Sequence, residues 1–181
     1  MPTLVVDLIG LIALLSGLSS YAMRQRKTML LVSSGSTLIW ALYFLFKGAH
    51  TAAAVILVGA VRILVGAYAV HWPNRARLSA TAGFLVIVSA CSYWTWAGIS
   101  SLPSTLAALF LTVASLNFPQ QRLRYAFLLG DCLWIWNGFA VDSVFGVLSA
   151  FTGLVVNSIL LLRTSDYRSR FQFTQVHGIS V

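Results

Sequence analysis

Almost all the positive charge in this 181-residue chain falls at alternate breaks in an otherwise apolar sequence, and few folds tolerate that arrangement. Seven apolar stretches can be read, at about residues 4–22, 28–46, 51–71, 78–97, 101–118, 123–141 and 143–163. A helix rises ~1.5 Å per residue, so each stretch suffices to cross a hydrocarbon layer of ~30 Å. The cations gather as Arg24, Arg26 and Lys27, then Arg75 and Arg77, then Arg122 and Arg124, then Arg163, Arg168 and Arg170. The opposite set of loops carries only Lys47, and Arg62 lies inside a stretch. Lys and Arg accumulate on the cytoplasmic side of a membrane. The pattern therefore predicts an all-α integral membrane protein of seven transmembrane helices, with the N-terminus outside and the C-terminus cytoplasmic.

Composition excludes the main rivals. Charged residues make up 9% of the chain and apolar ones 59%, a balance foreign to soluble domains of this length. The net charge of +8 invites a nucleic-acid reading. The basic loops are only two or three residues long and lack interleaved aromatics, so contact with anionic lipid headgroups is the better use of these charges. No Lys or Arg precedes the first apolar run, which reads as an uncleaved helix with Asp7 near the outer surface. Cys91 and Cys132 fall within stretches four and six and read as small buried thiols. The chain contains no Glu, and His50, His71 and His177 fall on two sides of the membrane. No nucleophile–base–acid set, metal cluster or phosphate loop emerges, so the expectation is a non-enzyme without cofactor or metal. The bilayer is its expected partner; the sequence leaves the oligomeric state open, a homo-oligomer included.

The short loops make neighbouring helices antiparallel neighbours in space. Trp94 and Trp96 end the fourth stretch, where indole rings settle at an outer headgroup layer, and Trp72 is the inner counterpart. A shift of 96 residues superimposes stretches one to three on five to seven: Leu15 meets Leu111, Ser19 meets Ser115, Gln25-Arg26 meets Gln121-Arg122, and Trp40 meets Trp136. One intervening helix gives both triplets the same orientation. The expected organisation is a three-helix repeat over 1–73, a linker helix over 74–99, a second repeat over 100–164, and a polar cytoplasmic tail over 165–181.

This 3+1+3 pattern resembles the PQ-loop superfamily that includes the SWEET sugar transporters. The segment NFPQQRLRYAFLLGDCLWIWNGF carries Pro119-Gln120 at the cytoplasmic end of the fifth stretch and Trp136 in the next. The first repeat has Met23 where the superfamily has proline. In length and texture the whole chain is also similar to the YgjV-like family of bacterial inner-membrane proteins. The resemblance implies a pathway between two bundles, with Pro119 and Gln120 at a hinge and Trp40 and Trp136 facing a substrate pocket.

Ionisable groups inside a bilayer are costly and mark candidate sites. Arg62 and Asp131 both lie about eight residues, ~12 Å, from the inner end of their helices. Opposite charges at one depth can pair; the alternative for Arg62 is to snorkel to the inner headgroups, and an unpaired Asp131 is a candidate proton site. Trp40 and Trp136 lie ~18–20 Å from the inner surface, too deep for an interface belt. Ser149 and Thr152 share that level and can face the pathway, whereas Asn157 is ~9 Å from the inner end, at an inner gate or in an interhelical hydrogen bond. Packing between the bundles is the plainer reading of the two tryptophans. Two functions stand: a small-solute transporter, its solute polar and a sugar among the candidates, or a non-transporting adaptor, sensor or assembly factor on the same scaffold.

Overall fold

A computed structural model describes residues 3–21, 23 and 25–176 of the protein. Seven α-helices follow one another among them: α1 (Thr3–Tyr21), α2 (Arg26–Phe46), α3 (His50–Tyr68), α4 (Asn74–Trp94), α5 (Leu102–Asn117), α6 (Gln120–Ala140) and α7 (Val144–Val176). Five are long and apolar enough to cross a membrane: α2, α3, α4, α5 with its preceding 3-10 turn, and α7 over Val144–Arg163. The apolar run of α1 is shorter, at Leu4–Ser20, and α6 carries Arg122, Arg124 and Asp131.

The turns explain the helix ends. Lys47 closes α2, Gly48 turns the chain with a φ of 77°, and the next helix starts at His50. The amide of Gly48 donates to Leu45 and that of Ala49 to Phe44, which satisfies two carbonyls at the end of α2. The α6–α7 turn repeats this backbone pattern. Asp142 takes the positive φ, 50°, and Asp142 and Ser143 donate to Phe139 and Gly138. Pro73 and Pro119 stand immediately before α4 and α6 in extended conformation, where a missing amide hydrogen leaves no bond unmade. Pro119 is therefore outside α5, which ends at Asn117. A hinge at Pro119 would thus lie in the α5–α6 turn, since the proline removes no hydrogen bond from α5. Gln120 is the first residue of α6.

The helices pack as a ring. α2 lies between α1 and α3, and α6 lies between α5 and α7; α3 meets α5 on one side and α1 meets α7 on the other. α4 stands outside, chiefly against α3 and α5, and most of its surface is exposed. Helix α7 outlasts the apolar pattern, which stops at Arg163: no Gly or Pro interrupts 154–176, and the helix runs to Val176. Much of the expected tail is thus helical. Arg24 and His177, read above as a basic-loop cation and a tail residue, lie outside the described residues, as does the end of the tail at 177–181.

Starts and ends alternate, so two ends can be told apart. The basic end carries Arg26, Arg75, Arg77, Arg122 and Arg124, and the other carries Lys47 and the turns before α3, α5 and α7. At the basic end Arg26 bridges two helices. Its guanidinium donates to the carbonyls of Gly66 on α3 (2.7 Å) and Ser115 on α5 (2.8 Å). These carbonyls belong to the last turns of their helices, where a cation is favoured. Gly66 permits the approach: a Cβ there would lie 3.1 Å from the Ser115 oxygen.

Candidate functional site

A cavity of about 180 Å³ lies inside the ring, and all six ring helices contribute to its wall. Along α2 the wall-forming residues are Ser33, Ser36, Thr37, Trp40 and Phe44, spaced at three or four so that they share one helix face. Along α6 they are Phe127, Asp131 and Trp134, again at spacings of four and three. Small residues leave the space open: Gly17 on α1, Gly59 on α3 and Gly146 on α7.

Polar groups gather in the middle of the wall. Ser36 receives the hydroxyl of Ser16 at 3.1 Å, tying α1 to α2, and Ser34 donates to Ala60 on α3 at 2.8 Å. Arg62 is 5% exposed and lines the cavity from α3. One guanidinium nitrogen donates to the Ala108 carbonyl (3.0 Å) and the Thr112 hydroxyl (3.1 Å), both on α5, while its Nε has no partner. Asp131 lines the same cavity from α6, and its carboxylate accepts a long hydrogen bond, 3.5 Å, from Asn157 on α7. The expected Arg62–Asp131 ion pair is not formed, because a bond donor on α3 meets carbonyl and hydroxyl acceptors on α5 before it can span the cavity. Snorkelling does not describe Arg62 either, since its head is buried against α5. Asn157, fully buried, also accepts from Arg124 at 3.4 Å, so Arg124, Asn157 and Asp131 form one chain of polar contacts from the basic end toward the cavity.

An aromatic layer bounds the cavity toward the Lys47 end. Phe44 packs between Trp40 (centroids 5.8 Å apart) and Trp134 (6.0 Å), and Tyr43 meets Trp40 and Phe145 edge-on. The Ser143 hydroxyl donates to the Tyr43 hydroxyl oxygen at 3.0 Å and holds the layer across the ring.

The tryptophan partner of Trp40 is Trp134, not Trp136. Trp136 is 47% exposed on the outer surface, and two residues along a helix amount to ~200° of rotation. In turns and buried positions α2 and α6 align at an offset of 94 residues, not 96. That offset relates Lys47-Gly48 to Val141-Asp142 in the turns, and His50 to Val144 at the starts of α3 and α7. In the cavity wall it relates Gly17 to Leu111, Thr37 to Asp131, Trp40 to Trp134, Val55 to Ser149 and Ile56 to Ala150. Along 35–46 and 129–140 buried, half-buried and exposed positions coincide at that offset except at Ala41 and Ile135. Of the other residues singled out above, Ser149 lines the cavity. Thr152 does not: its hydroxyl turns back to the Leu148 carbonyl (2.7 Å). Asn157 stands behind the wall. Cys91 is half-buried and Cys132 is exposed, so the two thiols do not share the buried setting expected of them.

The fold and the cavity define a helical membrane protein with a few polar groups set in a largely apolar interior. The family model for Imp-YgjV, described as a bacterial inner membrane protein, matches residues 4–168. The chain belongs to that family, and a bacterial inner membrane is its location. No curated protein and no solved structure matches it.

Proposed function

We propose that the protein crosses the membrane seven times as two parallel three-helix repeats joined by α4, and that it moves a small polar solute between them. The observation that carries this is the cavity itself: helices α1–α3 and α5–α7 both line it, and several residues 94 apart share its wall. The ring of neighbours fits the same two-fold relation, since α1–α2–α3 maps onto α5–α6–α7 and the α3–α5 contact onto α7–α1. The parallel repeat is also what the PQ-loop and SWEET resemblance implies. The cations of the basic end support an N-terminus outside and a C-terminus in the cytoplasm.

Hydroxyls, opposed charges and ring faces are the groups that exchange with the water around a polar solute. At about 180 Å³ the space holds roughly six waters at ~30 Å³ each, so a small solute or a partly closed state fits. Rocking one half against the other around a fixed site is the motion such repeats support. The aromatic layer, which shuts the cavity toward the Lys47 end, equally suits a non-transporting adaptor, sensor or assembly factor.

Flux separates the two. Purified protein in liposomes, given a panel of sugars, polyols and small amino acids, should pass at least one. Trp40→Ala or Trp134→Ala should lower that flux, with Trp136→Ala leaving it near the parent value. No flux for any solute would sink the transport reading, and equal loss in all three variants would sink the placing of its pathway in this cavity.

A further inference from the structure

A second cavity, of about 250 Å³, lies at the Lys47 end. Ala52 and Asn137 in its wall are each one helical turn from Ile56 and Trp134 in the wall of the central cavity. The two spaces are therefore stacked along the ring axis, with the Phe44–Trp134 contact between them.

Three independent features converge on this outer space. Asn137 is fully buried, lines the cavity, and has no hydrogen-bond partner for either its amide oxygen or its amide nitrogen. Buried amides are rarely left so unless something else occupies the space in front of them. The N-terminus of α3 also faces the cavity, at Thr51 and Ala52. The residue before the helix, Ala49, cannot cap it; the Ala53 amide makes the first bond, to the Ala49 carbonyl, and those of His50, Thr51 and Ala52 have no helical acceptor. At the position 94 residues later stands Ser143, whose hydroxyl accepts the Gly146 amide and closes the start of α7. One helix start is sealed and its counterpart is open. Finally, Lys47 and Asp142, of opposite charge, both line the cavity, and neither forms an ion pair among the described residues.

An open helix N-terminus beside an ammonium attracts a carboxylate. A carboxylate on the facing turn attracts a cation, and an amide with both its atoms free can bond to either. We propose that the outer cavity binds a small amino-acid zwitterion. Its carboxylate sits at the start of α3 near Lys47, its ammonium points toward Asp142, and Asn137 bonds to it from the floor. The site stands whether or not the central cavity passes a solute, because binding alone reports on it.

The full chain in detergent should be titrated with glycine, alanine and serine by calorimetry and thermal shift, with propionate and ethylamine as single-charge controls. At least one amino acid should bind saturably and raise the melting temperature, with both controls about tenfold weaker or worse. Lys47→Met and Asn137→Leu should each weaken binding by about tenfold. Lys47 is exposed in a turn, so its variant remains informative should Asn137→Leu not fold. Asp142→Asn should erase the preference for alanine over propionate. No saturable binding by any of the three amino acids would overturn the proposal, as would propionate binding as well as alanine or affinity unchanged in Lys47→Met. Binding without flux would count against transport and leave this site standing; flux with no binding of this kind would do the reverse.

Discussion

The two halves of the ring match in the turns and buried faces of α2 and α6 and differ in chemistry. Helices α2 and α6 end in the same turn, hide the same face and present Trp40 and Trp134 to the same cavity. Yet where the second half carries the contact chain Arg124–Asn157–Asp131, the first half has Leu30, Ile63 and Thr37 at the matching positions. Leu30 and Ile63 there belong to an apolar cluster with Met29 and Ala67. Conversely Arg62, hydrogen-bonded to α5, corresponds to Val156. Turn geometry and buried face thus correspond between α2 and α6, while polar groups are placed in each half separately. Between helices that lipid surrounds, a buried position accepts a polar group when its neighbours complete its bonds, and an apolar one otherwise.

Exchanging residues between halves tests this. The largest effect should come from Arg62→Val, which copies Val156 and removes both bonds to α5. A loss of about 2–3 kcal/mol is expected in reversible unfolding of the detergent-solubilised protein. Asn157→Ile, copying Ile63, should follow at about 1–2 kcal/mol, since its two bonds are long. Adding Arg124→Leu and Asp131→Thr should then recover part of the loss by making the second half as apolar as the first. A triple variant weaker than the single one would show that the halves are not interchangeable frameworks. In the turns, Gly48→Ala should lose about 1–2 kcal/mol because a Cβ is strained at its positive φ, whereas Asp142→Gly should be neutral or slightly stabilising. The smallest effect belongs to Arg62 and Asp131 together: a double-mutant cycle should give a coupling below about 0.5 kcal/mol. A coupling several times larger would restore the ion pair that the geometry lacks.

The seven helices were legible because charges and turn residues interrupt the apolar runs within a few positions of the observed ends. The faces of those helices were not. A soluble helix betrays its buried side by alternation with polar residues, but here outer surface and core are both apolar, and Leu42 at 51% exposure reads no differently from a core leucine. The repeat was set from its rarest residue types, tryptophan and Gln-Arg, and that register turned α6 by about half a revolution. The turns that align at 94, Lys47-Gly48-Ala49 and Val141-Asp142-Ser143, share no residue type, and only their backbone angles and hydrogen bonds reveal the match. Arg62 was recognised as an unusual residue, but its partners Ala108 and Thr112 could not be, because one is a backbone carbonyl and α3–α5 adjacency is a property of the packed ring.

The two seams that join the halves are unequally fastened. Between α3 and α5 the Thr51 and Ser101 hydroxyls meet, Arg62 reaches across one level further on, and Arg26 ties the basic end. Helix α4 lies along both partners like a splint. Between α1 and α7 the contact rests on packing such as Gly10 beneath Phe145. A body stitched along one edge opens like a book. Displacement would be least at the α3–α5 spine and grow toward α1 and α7, so a crosslink across the α1–α7 edge would arrest the molecule where the same crosslink at the spine would pass unnoticed.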